Sequence, residues 1–506
     1  MEFATLRSSG VSVCLLAALA GCDVAAKETR PPDVVLVVAD TLRSDRLSCY
    51  GYERETSPVI DSLAAQGVLF EDVTAQWPWT LPSMVSMFQG QYITDYRDEL
   101  DPTAPNLVQQ FRDAGYRTVG IVSNCLVDGD QGFDRGFDHF DCIPCFEDGE
   151  QKRPMRRDVR ALRAAMVAQV EEALKLDDEG ERQPLFLYLH ANDPHSPYHA
   201  HPAFDSSLPL DGAADVRLSS WWTETLTERG PLPPQGRVDW AIELDALERE
   251  RACYDQEVRY LDLGIGDILK DLRRLGLGED AVHALVADHG EGLWEHVAND
   301  PPERHGTPSP RHFFYQLHGG NGYQPVMATP FLLWGGNLPR GLRVSAAVEN
   351  VDLFPTLLEL ANIAPPGELD GRSLVPLTRG APASWRDYVY CYGSHNIAIR
   401  DVASGLKLIV PSGKSLENGR ECELYDLNLD PDERVNLASQ RPEVVKDLVG
   451  AYARWVQANP TVSSLAGPAE VQRSEARKAL AGMLRDLGYT EIETGLPSVS
   501  DSQPTR

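Results

Sequence analysis

Residues 33–39 read Asp-Val-Val-Leu-Val-Val-Ala and run straight into Asp40-Thr41-Leu42-Arg43-Ser44-Asp45. The run is apolar, rich in β-branched valine, and lacks the polar alternation of a strand with one wet face. It predicts a strand buried on both sides, as in a parallel sheet covered by helices. The same texture recurs at Thr118–Val122, Leu185–Leu189 and Val282–Ala287. Between these runs lie helical patterns at Ser57–Gln66, Pro105–Ala114, Met155–Leu176 and Trp240–Leu275, and Pro330–Trp334 and Val351–Ala361 add a further strand and helix. Strands alternating with helices predict an α/β fold, a large mostly parallel sheet flanked by helices, over residues 33–378.

Beyond about residue 375 the texture changes. Tyr388–Tyr392, Ile397–Arg400, Leu406–Val410 and Glu423–Tyr425 are short strand-like pieces separated by Gly, Ser and Asn turns. They predict a small C-terminal α+β subdomain, residues 379–460, closed by a helix over Pro442–Ala458. Residues 461–506 read as a helical and partly disordered tail, rich in Ser, Thr and Pro after 488.

The 506 residues are 42% hydrophobic, which supplies a large core and excludes a disordered chain. Lys and Arg number 47 against 76 Asp and Glu, a net charge of −29. Such a surface repels phosphate backbones, so no nucleic-acid partner is expected. A bound metal ion reverses the field locally, so a small anionic substrate stays open.

At the N-terminus, Arg7 precedes the apolar run Val11–Ala20, too short to span a bilayer and right for a signal peptide. Leu19-Ala20-Gly21-Cys22 resembles a bacterial lipobox, which implies lipidation of Cys22, a signal peptide over 1–22 and a linker over 23–32. An ordinary secretory signal is the alternative. The expectation is an exported domain, lipid-anchored to the bacterial cell envelope on its periplasmic side or surface. Seven further cysteines follow Cys14 and Cys22. Cys142-Ile143-Pro144-Cys145 is a lone C-x-x-C, either a redox pair, half a zinc site or, as expected in an oxidising envelope, a local disulfide.

Ligands of open α/β sheets bind beyond the carboxyl ends of the strands. Three such ends carry Asp and His: Asp40; the segment His190-Ala191-Asn192-Asp193-Pro194-His195; and Asp288-His289-Gly290-Glu291. Together they have the makings of a metal site. In Trp79-Thr80-Leu81-Pro82-Ser83-Met84 the proline suits a first helical turn, which puts the Thr80 hydroxyl just before a helix N-terminus ending near Gly90. Thr80 is there either a metal-activated nucleophile or an ordinary N-cap.

The segments 40–51 (Asp-Thr-Leu-Arg-Ser-Asp-Arg-Leu-Ser-Cys-Tyr-Gly), 79–83, Asp193-Pro-His-Ser-Pro-Tyr198 and 288–291 resemble the sulfatase family of the alkaline-phosphatase superfamily. The resemblance continues through 351–358, 370–374 and 423–427, in collinear order from about 33 to 455. It implies Asp40, Thr80, Asp288 and His289 as metal ligands, with Thr80 at the nucleophile position. It also implies that His195 and His318 contact the transferring group or protonate the leaving oxygen. Asn124, at the end of the run Thr118–Val122, would donate to a substrate oxygen.

The departures from the family pattern bear on the chemistry. Formylglycine-type sulfatases carry Cys or Ser where this chain has Thr80, and Arg where it has Met84; threonine's methyl-bearing β-carbon cannot yield the aldehyde. The usual second aspartate is Thr41, and the family's Gly-Lys-Trp-His segment has become Val119–Cys125. A single divalent metal is implied, with Mn²⁺ or Zn²⁺ ahead of Ca²⁺. The expected function is hydrolysis of sulfate or phosphate esters, tilted toward phosphorus by Thr80, on a small-molecule, lipid-headgroup or glycan substrate. A phosphoethanolamine- or phosphoglycerol-type transferase and an inactive sulfatase-like binding protein are the alternatives. Glu291, Glu295, His296, His305 and His312 are expected in a solvated, Pro-rich lid, with a second metal site as the alternative, and His199 and His201 at the substrate mouth. Arg43 and Asp45 are expected to brace the first loop.

Overall fold

The computed structural model describes residues 30–93, 99–142, 146–147, 150–151, 158–175, 182–210, 216–229, 237–297, 314–393, 396–411 and 421–458. The lipobox with Cys22, the tail after 458, and Cys145, His305, His312 and His395 lie outside them. Among the described residues no helix is long and apolar enough to cross a membrane.

The decisive stretch is strand β1, Val34–Ala39, buried along its whole length. Next come β2 (Val68–Thr74), β3 (Arg117–Val122), β4 (His139–Cys142) and a two-residue hairpin, β5 and β6 (Phe146–Glu147, Glu150–Gln151). Then follow β7 (Leu185–Ala191), β8 (Val282–Val286), β9 (Gly292–Val297), β10 (Phe314–Leu317), β11 (Phe331–Gly335) and β12 (Leu342–Glu349). Eight of these form one sheet in the order β12-β2-β11-β8-β1-β7-β3-β4. Every neighbouring pair is parallel except the two that involve β11. β1 is central, between β7 and β8, so the strand ends carrying Asp40, His190 and Asp288 are adjacent.

Alternation along β1 feeds two cores. Val35, Val37 and Ala39 pack with α1 (Pro58–Gln66) and, further along the chain, with the helices Val159–Ala173, Val216–Arg229 and Arg237–Arg274. Val34, Leu36 and Val38 face the other way, toward α2 (Thr80–Gln89), α3 (Leu107–Asp113) and the helix Leu353–Leu360. Numbered on, these are α4 (159–173), α5 (216–229), α6 (237–274), α7 (Gln324–Met327), α8 (353–360), α9 (Val375–Thr378) and α10 (Pro442–Ala458). The Ser57 side chain does not cap α1. Asp262 of α6 does so instead, accepting from the Val59 and Ile60 amides at 3.1 and 2.8 Å.

The C-terminal strands β13 (Tyr388–Tyr392), β14 (Asn396–Asp401), β15 (Leu406–Pro411) and β16 (Glu423–Asp426) form an antiparallel sheet in that order. Helix α10 packs on it through Val445, Leu448, Val449 and Tyr452. The buried Arg386 ties this sheet to the end of β12, pairing with Glu349 at 3.0 Å and with Asp352.

Candidate active site

Asp40 follows β1, and its carboxylate is fully buried. Asn124, just beyond β3, donates from Nδ2 to Asp40 Oδ2 at 2.5 Å, so the amide expected to reach a substrate oxygen is engaged with a site carboxylate instead. Asp288 follows β8, and its Oδ1 accepts from the amides of Thr41 (3.3 Å) and His289 (2.9 Å). Its backbone carbonyl is fixed by Ser83 of α2 and by Asn350. Gly290 is required next: a β-carbon there would stand 2.1 Å from the Pro325 carbonyl oxygen. Backbone bonds from Gly290 and Glu291 to Val326 and Pro325 bind this turn to α7.

Helix α2 begins at Thr80 itself, with Trp79 as N-cap and Gly90 in the left-handed conformation at its end. The Thr80 hydroxyl lies 3.2 Å from His289 Nε2. His289 Nδ1 is 2.8 Å from the Gly290 carbonyl, which can only accept, so Nδ1 carries the proton and Nε2 keeps its lone pair. That Nε2 is 3.4 Å from Asp288 Oδ2 and 3.8 Å from Asp40 Oδ1. A tetrahedral ion with bonds of about 2.1 Å sets its ligand atoms about 3.4 Å apart, so these spacings suit a shared cation.

His318 sits against the cluster, its ring 4.6 Å from that of His289 and 5.0 Å from that of His195. Its Nδ1 meets the buried Glu291 carboxylate at 3.0 Å. The His195 Nδ1 donates to the Ser196 carbonyl at 2.7 Å, which turns Nε2 the other way. Asp40, Thr80, Asn124, His195, Asp288, His289 and His318 are therefore brought together. His190, at the end of β7 and fully buried, joins them: it forms with Asp40 and Asp288 a group whose ligand atoms lie within 4.8 Å of one another.

Electrostatics follow from burying two carboxylates in one space. Burial works against the Asp40 charge, but His190, His195 and His289 outweigh it and hold its carboxyl well below the usual range. Burial and the charge on Asp40 push Asp288 well above that range. Burial and repulsion from His318 push His289 down to about 3, a neutral imidazole suited to ligation. For His318 burial acts downward, but the Glu291 carboxylate prevails and raises it above the ordinary histidine value.

Several expectations need correction. Glu291, Glu295 and His296 are not in a solvated lid: β9 pairs with β10, and all three side chains are buried or nearly so. Glu295 gathers Arg43 (2.7 Å), Arg251 (3.0 Å) and Arg46 (3.4 Å), which hold its carboxyl below the usual range despite burial. Arg43 braces the first loop as expected, pairing with Asp45 at 2.7 Å. His199 and His201 are tied back to Glu257 of α6, each at 3.0 Å. The Cys142 thiol donates to the Asn124 carbonyl and Cys125 is disulfide-bonded; the expected Cys142–Cys145 pairing falls on a residue outside the described ones.

The Sulfatase sequence profile matches residues 32–363, across the whole eight-stranded sheet and every site residue named above. The chain belongs to the sulfatase family. A second profile, the C-terminal region of N-sulphoglucosamine sulphohydrolase, matches residues 321–451. The sulfatase chain is 25% identical to Arylsulfatase K of Bos taurus over 460 residues, covering 82% of this chain and 80% of that protein. It is 24% identical to an arylsulfatase of Clostridium perfringens over 489 residues, covering 85% and 96%. Among solved structures, the phosphonate monoester hydrolase of Agrobacterium radiobacter superposes with a TM-score of 0.62 at 20% identity, covering 84% of this chain and 95% of that one. A structure in complex with D-glucosamine-2-N,6-O-disulfate as substrate gives 0.63 at 18%, covering 87% and 100%. The protein is thus a sulfatase-family hydrolase, and enzymes of this family use a divalent metal.

The residues present fit such an ion. Asp40 Oδ1 and Asp288 Oδ2 are buried without hydrogen-bond partners, an arrangement costly unless a cation satisfies them. Aspartate and imidazole are ordinary ligands of divalent ions.

Proposed function

We propose that this sulfatase-family chain is a metal-dependent hydrolase in which Thr80 is the nucleophile, acting on sulfate or phosphate esters with the phosphoester favoured. The observation that carries this is the Thr80 hydroxyl, buried at the N-terminus of α2 and 3.2 Å from His289 Nε2, among the Asp40 and Asp288 carboxylates. Asp40, Asp288, His289 and Thr80 would hold the ion, Mn²⁺ or Zn²⁺ ahead of Ca²⁺. Bound there, it supplies Lewis acidity, favouring an ionised hydroxyl and withdrawing charge from an ester oxygen. The first-turn amides of α2 face the anionic group being transferred.

Thr80 Oγ, its proton passed to water, attacks in line; its bond to phosphorus forms as the bond to the leaving oxygen breaks. His195 or His318 delivers a proton to that oxygen, and water then releases Thr80. Glu291 supports His318 in its protonated form for this step. Threonine bears a methyl group on its β-carbon, so the aldehyde hydrate that serves formylglycine sulfatases is not accessible at Thr80; this tilts the substrate toward phosphorus. The lipobox at Cys22 and the signal-like run before it support an enzyme tethered at the bacterial cell envelope, with headgroup or glycan esters within reach.

The test supplies the metal-stripped full chain with Mn²⁺, Zn²⁺ or Ca²⁺ and compares bis-p-nitrophenyl phosphate with p-nitrophenyl sulfate. Phosphodiester cleavage is expected, falling about 10³-fold or more in Thr80→Ala with the melting temperature of the metal-free protein unchanged. Equal rates in Thr80→Ala overturn the nucleophile assignment, and faster sulfate cleavage overturns the phosphoester preference. Transfer of a labelled lipid headgroup to a glycan without hydrolysis favours the transferase alternative.

A further inference from the structure

His190 is a fully buried histidine at the end of β7 with no part in the chemistry so far. Its Nδ1 is 2.7 Å from the Tyr188 hydroxyl. Its Nε2 approaches Asp40 Oδ2 at 3.5 Å but makes no hydrogen bond. Asp40 Oδ1 and Asp288 Oδ2 are likewise buried without partners. These three orphaned atoms belong to the same three residues whose ligand atoms cluster within 4.8 Å. Buried polar atoms nearly always find partners, and one cation would satisfy all three.

The neighbouring Thr41 sharpens the point. Its hydroxyl turns back to the Asp40 carbonyl at 2.7 Å, away from the cluster. The β1 side thus offers a single carboxylate, that of Asp40, while an imidazole arrives from β7.

We propose that His190 is a ligand of the metal, bound through Nε2, and that it shifts the site from Ca²⁺ toward Zn²⁺ or Mn²⁺. The inference rests on the metal-dependent reading above. Ca²⁺ takes oxygen ligands, whereas imidazole suits Zn²⁺ and its neighbours, so two histidines beside two carboxylates favour the latter. Tyr188 is the positioning partner: with Nε2 on the ion, Nδ1 keeps its proton and donates it to the Tyr188 oxygen 2.7 Å away, which holds the ring in place.

The full chain is stripped with a chelator and titrated calorimetrically with Zn²⁺, Mn²⁺ or Ca²⁺ alone. The wild type is expected to bind Zn²⁺ at least ~100-fold more tightly than Ca²⁺. His190→Ala and the bulkier His190→Gln should each weaken Zn²⁺ at least ~10-fold, and Tyr188→Phe by a smaller factor, with Ca²⁺ affinity little changed. Unchanged Zn²⁺ affinity in folded His190 variants overturns the proposal, as does tighter Ca²⁺ than Zn²⁺ binding by the wild type. Zn K-edge absorption of the wild type needs no variant: two imidazoles support it and one overturns it. Asp40→Asn separates the two readings, because loss of metal there with none in the His190 variants removes His190 alone. Undiminished binding in Asp40→Asn removes the metal site itself.

Discussion

Thr41 has φ of +56°, a conformation that β-branched residues avoid and that costs of order 1–3 kcal/mol. It persists because its neighbours over-determine it: its amide donates to Asp288, its hydroxyl to the Asp40 carbonyl, and its own carbonyl accepts from the Tyr254 hydroxyl at 2.7 Å. The same Tyr254 oxygen accepts from the Arg43 amide at 3.0 Å. Tyr254→Phe leaves a buried carbonyl and a buried amide unpaired, so a loss of about 1–3 kcal/mol is expected in denaturant unfolding. Because that loop carries Asp40, metal affinity should fall with it, by the same titrations that test His190. None of this is visible in the linear sequence, since Tyr254 lies in a helical run that only folding brings against the first loop.

Strands β8 and β11 face each other antiparallel, with His283 opposite Trp334. Their rings stack at 5.1 Å and 7°, and burial pushes the imidazole down to about 4. The folded state therefore refuses a proton that the unfolded chain accepts near pH 6.5, and stability is lost as pH falls through this window. The shift corresponds to about 3 kcal/mol at most. His283→Phe keeps the stack and removes the titration. Its unfolding free energy should fall less than that of the wild type between pH 7 and 4.5, by about 2–3 kcal/mol. An equal fall would contradict the assignment.

At this scale the sequence was readable where burial was uniform. β1, β3, β7 and β8 matched their apolar runs within one or two residues, because a strand covered on both faces leaves no polar interruption. β2 carries Glu71 and Asp72 in its middle and β12 alternates Arg343, Ser345 and Glu349 among apolar residues, so neither announces itself, yet both belong to the main sheet. β9 was hidden for a similar reason: Glu295 reads as solvated until three arginines from distant segments surround it. The site motifs were legible because strand ends are short and chemically dense. His190 stood in the quoted segment but had no mark, since its partners come from β1 and β8.

Across the whole molecule, the proposed ion would act as a ligand of the folded state alone. At a free concentration 100 times its dissociation constant it should add about 2.7 kcal/mol to the unfolding free energy, and a chelator should remove the same amount. Calorimetric melting with and without Zn²⁺ reads this directly; equal melting temperatures would mean that the cluster holds no ion. The prediction belongs to the whole chain because unfolding disperses every ligand.

The central position of β1 has a bearing on the order of events as the chain emerges. Asp40 is made early, but its flanking strands β7 and β8 arrive only after the segments around residues 185 and 282 have been synthesised. Pairings between such remote segments carry a large loop-closure cost and form late. A partly made chain thus has Thr80, the proposed nucleophile, but no His190, Asp288 or His289 to meet it. The full set of site residues, through His318, exists only once more than roughly three-fifths of the chain (318 of 506 residues) has been made, so no shorter nascent chain can assemble the site.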